Sequence, residues 1–346
     1  MRSAQDHNDL PSVSVLKPIR GVEPFLYENL ASFCAQEYPH YEVIFCLHDA
    51  DDAALPTVKR VVADFPLCRA AILTGMDAAY RNPKIANLVK GARAAGGEVI
   101  VISDSDVRAE PTFLRSFIEA FEPQRAGAAS CLYRGIASKA WVSLLGAMYV
   151  EEQFAPSVLV AATLGRPRFC LGAAMAVRRS ALDAIGGLGA LGPYLADDHA
   201  LGELVAARGD DVVVSDAVVG TTIPEASLPQ LWSHELRWAR TNLVLAPLGY
   251  AFSFLTFGVP LALLYLAISR NVVIGLPLLA VAAALRVALR IAAQEALDVR
   301  ESRPLWLVPI RDLLSVAIWA ASFFGRTVRW REVRMKLSAD AERPAR

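Results

Sequence analysis

Residues 98–108 read EVIVISDSDVR. Four consecutive β-branched apolar residues (99–102) come just after Gly96-Gly97-Glu98 and lead into two aspartates separated by one residue. A short continuous apolar run bounded by turn residues reads as a strand buried on both faces. Upstream, residues 84–95 have helical periodicity, 70–73 read as a strand and 55–65 as a helix. Residues 41–47 (YEVIFCL) form an apolar strand ending in HDADD, residues 24–36 a helix, and 12–17 (SVSVLK) a strand closed by the breakers Pro18 and Gly21. Downstream, residues 111–121 read as a helix with Pro111 in its first turn. Strands alternating with 10–13-residue helices predict an α/β fold, with a mostly parallel sheet covered by helices on both faces. Such sheets bind ligands at the carboxyl ends of their strands, where HDADD and SDSD fall.

Asp104 and Asp106 lie two apart, so in an extended segment their carboxylates point the same way. Adjacent carboxylates repel unless a cation lies between them, and oxygen ligands at a strand end suit Mg²⁺ or Mn²⁺ shared with substrate phosphates. Solvated acidic loops produce the same pattern. In HDADD, Asp49 or Asp52 can accept hydrogen bonds from a nucleotide base or ribose, or can simply cap the helix that follows. Asp197-Asp198-His199 precedes a helical run over 200–208 and offers either an N-terminal acidic pair or a general base. Lys84 opens a helix, where a cation opposes the helix dipole, and that anomaly favours anion binding. Arg237 and Arg240, in HELRWAR (234–240), share a helical face. They and Trp238 suit an interfacial belt or a pyrophosphate clamp.

The chain has 346 residues, 54% of them hydrophobic and 20% charged, with 35 basic and 35 acidic side chains. Neutrality is a sum of unlike parts: residues 1–240 hold 22 basic and 28 acidic residues, and 241–346 hold 13 and 7. This excludes a disordered chain, a disulfide scaffold and a basic nucleic-acid binder, so no nucleic-acid partner is expected. The five cysteines have no metal-ligand spacing and read as small buried hydrophobes. The first residues are polar and carry no signal-peptide core, so a cytoplasmic catalytic part is expected.

No charge occurs from 241 to 269, 29 residues against the roughly 20 that cross a bilayer. Pro247 and Pro260 would kink that run. A second apolar run, 271–285, continues past Arg286 and Arg290, whose stems could snorkel. A third, 313–325, suits a re-entrant or interfacial helix. Two spans keep the basic cluster Arg326, Arg329, Arg331, Arg334 and Lys336 on the cytoplasmic side. The expectation is a catalytic domain over 1–240 and a multi-pass membrane domain over 241–346. Residues 141–164, apolar but interrupted by Glu151-Glu152, read as an interfacial or acceptor-channel helix, or as an ordinary core helix.

Seven segments in order carry a resemblance: KPIRG (17–21), CLHDADD (46–52), NPKIANL (82–88), ISDSDVR (102–108), CLYRGIA (131–137), LADDHALGE (195–203) and HELRWAR (234–240). Together they resemble the ceramide glucosyltransferase-like family of membrane glycosyltransferases. That family's pattern of an Asp, a DxD-like Asp, a third Asp and [Q/R]xxRW maps onto Asp49 (or Asp52), Asp104 with Asp106, Asp198, and Arg237-Trp238. His234 departs from it at the head of the last motif. The resemblance implies a GT-A fold and a hexosyltransferase. It implies inverting transfer of a sugar, glucose first, from a UDP-sugar to a ceramide-type hydroxyl at the cytoplasmic face of the bilayer. In that scheme Asp198 is the base, Asp104 and Asp106 hold Mg²⁺ or Mn²⁺, and Arg237 with Lys84 adds positive charge. Asp49 holds uracil or ribose, and Trp238 shapes the acceptor mouth. LYRGIA and HELRWART also resemble bacterial hopanoid glycosyltransferases, which implies UDP-N-acetylglucosamine and a hopanoid as the alternative pair. A processive polysaccharide synthase and a non-catalytic membrane scaffold are the remaining alternatives.

Overall fold

The computed structural model describes residues 10–325, 327–330 and 333–336, apart from Ala78, residues 122–124 and Ser302. The elements in order are β1 (Val13–Ile19), α1 (Leu26–Cys34), β2 (Tyr41–Leu47), α2 (Leu55–Asp64), β3 (Arg69–Leu73), α3 (Pro83–Ala94), β4 (Val99–Ser103), β5 (Val107–Arg108), α4 (Phe113–Glu119) and β6 (Ala126–Ala137). Then come α5 (Trp141–Tyr149), a π-helical turn (Val150–Phe154), α6 (Ala155–Leu164), β7 (Ala174–Arg178), α7 (Arg179–Ala184), α8 (Asp197–Ala207) and β8 (Asp211–Ile223). The chain continues through α9 (Leu228–Leu245), α10 (Pro247–Phe252), α11 (Gly258–Ser269), α12 (Val272–Ala296) and α13 (Leu307–Ser322), and a hairpin of β9 (Thr327–Trp330) and β10 (Val333–Lys336).

The eight-stranded sheet runs β3-β2-β1-β4-β7-β6-β8-β5. β3, β2, β1 and β4 are mutually parallel, with Val15 opposite both Val43 and Val101. The expected mostly parallel sheet is corrected here. β7 is antiparallel to β4, β6 to β7, and β5 to β8, so the sheet is mixed. The parallel half follows from the βα alternation, since each crossover helix returns the chain to the same edge. After β4 that alternation stops, because only a tight turn separates β4 from β5. Pro18 does not break β1: pairing with β4 ends at Leu16, beyond which β1 hydrogen-bonds to β2 alone.

Packing divides the chain into two compact units. Among the described residues, one comprises 10–133 and 160–222, the other 134–159 and 223–336. The first holds a core of Leu16, Ile44, Ile85, Leu88, Ile102 and Met175. α3 lies close on the sheet there because residue 91 is glycine; a Cβ would fall 2.5 Å from the Cys46 sulfur. All five cysteines are free thiols, and Cys34, Cys46, Cys131 and Cys170 are buried.

The second unit is helical and holds buried ion pairs. Glu151 pairs with Arg303 at 2.9 Å, and Glu152 with Arg286 at 2.7 Å and Arg290 at 3.2 Å. Arg286 also meets Asp312 at 3.0 Å. The side chains of Arg286 and Arg290 are thus buried against partners, not snorkelling. Among the described residues one helix, Val272–Ala296, is long and apolar enough to cross a membrane. The expected first span is broken into Pro247–Thr256 and Gly258–Ser269, bent by 67°. It counts as a second span only if the bent pair crosses as one. α13 has 16 residues, short of the roughly 20 that cross a bilayer. The side chains of the basic cluster at 326–336 lie outside the described residues.

Candidate active site

The first unit gathers acidic groups at the carboxyl edge of the parallel strands. Asp104 follows β4, its N–H bound to the Ala173 carbonyl at 3.2 Å, while its own carbonyl accepts from Val107 N–H at 3.2 Å. Residues 104–106 therefore form a turn, not the extended segment expected. The two carboxylates still sense each other: burial first, then the charges of Asp104 and Glu23, push the Asp106 carboxyl up to about 7. Glu23 accepts from Ser105 Oγ at 2.9 Å, and Asp106 accepts from Thr221 Oγ1 at 3.4 Å.

Lys17 lies under this turn, fully buried. Its Nζ donates to the Asp104 carbonyl at 2.5 Å and to Ser103 Oγ at 3.3 Å, and sits 3.9 Å from the centre of the Phe33 ring. Burial lowers its pKa to about 7 against the pull of Asp106, Asp104 and Glu23. The sequence motifs do not single this residue out; its one signal is a lysine within a short strand of mostly β-branched and apolar residues.

The third acidic motif opens α8, with Asp197 and Asp198 in its first turn. Asp198 Oδ1 accepts from the His199 N–H at 2.8 Å. Burial, then the neighbouring Asp197 charge, raise the Asp198 carboxyl to about 6, with Lys84 pulling the other way. Gly172 leaves room beside it: a Cβ there would stand 3.0 Å from Asp198 Oδ2. Such a group is ionised at neutral pH yet basic enough to take a proton.

Lys84 joins the two motifs. Its Nζ is 2.8 Å from Asp104 Oδ1 and 3.3 Å from Asp197 Oδ2. Burial opposes its charge, but Asp104, Asp197 and Asp198 outweigh that and hold its pKa above the usual lysine range. The dipole anomaly is thus resolved by carboxylates. Asn82 caps α3, accepting from Lys84 N–H at 2.9 Å, and donates to the Tyr194 carbonyl at 2.8 Å and to Asp197 Oδ1 at 3.3 Å. It too went unselected, although an Asn before Pro at a helix start is a capping signal.

The HDADD segment serves two purposes. The Asp52 carboxylate accepts from Gly21 N–H at 2.9 Å and Ala54 N–H at 2.9 Å, tying the KPIRG loop to the turn before α2. Asp49 is 60% exposed and paired with His48 at 2.6 Å.

Arg237 and Trp238 belong to the second unit, on α9. The Trp238 ring stacks on Tyr149 at 5.9 Å and packs against His234 at 4.3 Å. His234 pairs with Glu225. Glu235, two residues before Arg237, accepts from both terminal guanidinium nitrogens of the fully buried Arg311, at 2.6 and 2.7 Å.

Among the described residues no three His, Cys, Asp or Glu side chains converge to hold an ion unaided. The first unit's acids nevertheless fit a divalent cation. Glu23, Asp104, Asp106, Asp197 and Asp198 gather around Lys17 and Lys84, and the carboxylates they offer are an all-oxygen donor set. Two carboxylates plus substrate phosphate oxygens are the usual shell for Mg²⁺.

Two ceramide glucosyltransferases of Caenorhabditis elegans are similar in sequence. Number 1 is 27% identical over 240 residues, 69% of this chain and 51% of that protein. Number 3 is 27% identical over 248 residues, 70% of this chain and 53% of that protein. The chain thus spans about half the length of the curated relatives it matches. Among solved structures, a mannosyltransferase from Pyrobaculum calidifontis, in complex with GDP-Man and Mn²⁺, superposes with a TM-score of 0.54 at 21% identity. The match covers 93% of this chain and 89% of that one, and establishes a GT-A-like glycosyltransferase fold. The sequence model of Glycosyl transferase family 21 matches residues 1–342, and the chain belongs to that family.

Proposed function

We propose that the protein is an inverting hexosyltransferase. It moves glucose from UDP-glucose to the hydroxyl of a ceramide-type lipid at the cytoplasmic face of a membrane. The observation that carries this reading is the meeting of Asp104, Lys84 and Asp197-Asp198 at the strand edge of a family 21 chain. The ceramide glucosyltransferase relatives support the choice of donor and acceptor.

Asp198 takes the proton of the acceptor hydroxyl. The oxygen attacks the anomeric carbon from the face opposite the diphosphate, the bond to the diphosphate oxygen breaks, and the configuration inverts. Asp104 and Asp106 would hold a divalent cation, Mg²⁺ or Mn²⁺, which would supply positive charge against the departing diphosphate. Arg237 adds a cation for that charge. Asp49 holds the uracil or ribose, with Asp52 fixing the loop beside it. Trp238 shapes the acceptor entrance. Residues 1–240 form the catalytic part, and helices from 241 onward hold it at the bilayer, in which Val272–Ala296 is the principal span.

The test is a transfer screen with detergent-purified protein, pairing UDP-glucose and UDP-N-acetylglucosamine with ceramide and a hopanoid alcohol. Glucosylceramide is the expected product. A hopanoid product with N-acetylglucosamine would reassign donor and acceptor while keeping the mechanism. Long polymers would identify a processive synthase, and no transfer to any lipid sinks the reading.

A further inference from the structure

The two lysines beneath the acidic edge are held in different ways. Lys17 is fully buried and locked by a backbone carbonyl and a serine hydroxyl. Among the described residues, the Lys84 ammonium is paired with two carboxylates alone, Asp104 and Asp197. Its side chain retains 12% exposure, and that of Asp104 retains 38%. The backbone around Lys84 does not depend on those pairs. Asn82 caps α3 by accepting from the Lys84 N–H, donates its side-chain amide to Asp197 Oδ1 and donates its own backbone N–H to the Gly192 carbonyl at 3.0 Å. A four-carbon stem on a fixed helix start can therefore swing without disturbing either acidic loop. Asp104 is also the residue assigned to the cation, so Lys84 already supplies positive charge where that charge is needed.

We propose that Lys84 is an exchangeable counter-ion. It neutralises Asp104 and Asp197 in the donor-free protein, yields Asp104 to the divalent cation, and turns its ammonium to the diphosphate of the arriving donor. This rests on the metal and donor assignments above. It makes loading of the site an exchange of partners among charges, so the acidic edge is never left uncompensated.

Exchange predicts opposite signs for two affinities, which neither a brace nor a simple phosphate ligand does. Mn²⁺ binding to the full-length, detergent-purified protein is measured without nucleotide, by electron paramagnetic resonance of free Mn²⁺. UDP binding is then measured at saturating Mn²⁺. Lys84→Met removes the competing charge, so Mn²⁺ alone should bind about tenfold tighter, while UDP should bind about tenfold weaker. Lys84→Arg keeps the charge and should leave Mn²⁺ affinity near the wild-type value. If Mn²⁺ affinity in Lys84→Met is unchanged or weaker, exchange is wrong. It is equally wrong if the Arg variant binds Mn²⁺ as tightly as the Met variant. Should Lys84→Met fail to fold, Lys84→Gln is read in its place, with the same two signs required. Wild-type protein that binds neither Mn²⁺ nor UDP overturns the metal and donor assignment itself, and the exchange with it.

Discussion

As the proposed base, Asp198 has to be ionised at neutral pH and still basic enough to take a proton. Its carboxyl, raised to about 6 by burial and by Asp197, suits that role. Turnover should therefore rise as pH passes through about 6 and level off above it; a rate profile flat down to pH 5 would remove Asp198 from the role. Asp198→Asn should lower kcat by about 10²-fold or more while UDP binding stays within a few-fold of wild type. A different sign attaches to stability. Asp106 has a folded-state pKa of about 7, well above its unfolded value. Its contribution favours the fold below the unfolded carboxylate range and is lost as pH rises towards 7. Asp106→Asn removes that cost, so the variant should be more stable than wild type at pH 8, by on the order of 1 kcal/mol after allowance for screening, and equal to it near pH 3. Thermal unfolding at the two pH values checks this, and the same variant should lose metal-dependent transfer.

The helix running from Trp141 to Leu164 shows what a single element can conceal. Its sequence is apolar but for Glu151-Glu152, and an acceptor-channel helix and a core helix read alike from that pattern. In the fold its middle is a π-helical turn, and both glutamates are buried against arginines of distant segments. π-Turns let one extra residue face a chosen side, which here aims consecutive acids at Arg303 and at Arg286 with Arg290. The α9 helix is held in the same manner by Arg311 on Glu235. Breaking one partner of a buried pair leaves an uncompensated charge, so Arg311→Met should destabilise the protein by about 3–5 kcal/mol. Adding Glu235→Gln to it should recover much of that loss, as read from unfolding in detergent. A single variant as stable as wild type would show that the pair carries no such burden.

At the scale of the whole molecule, the protein carries, among the described residues, one helix long and apolar enough to cross a membrane, Val272–Ala296. Alkaline carbonate should leave it in the membrane pellet, and release into the supernatant would count against the span. Chelation by EDTA should abolish sugar transfer, with recovery on adding Mg²⁺ or Mn²⁺; transfer that persists in EDTA would retire the cation from the mechanism. The parallel half of the sheet and the positions of its acidic loops were legible in the chain itself, because apolar runs, helical periods and breakers are local and recur at βα spacing. The antiparallel half was not, since the partners of β6, β7 and β8 are set by which strand edges remain free after β4, and no period in the sequence records that. The motifs likewise named Asp104, Asp198 and Lys84, but not that Lys84 would bind both acidic loops. Nor did they reveal that Lys17 would lie beneath Asp104, or that Arg286, Arg290 and Arg311 would turn inward to glutamates. Residue type and spacing determined the strands, the helices and the chemical inventory at their ends. Which charges meet was decided by the tertiary structure, because a buried ion pair depends on segments separated in sequence by up to 152 residues arriving within about 3 Å of each other.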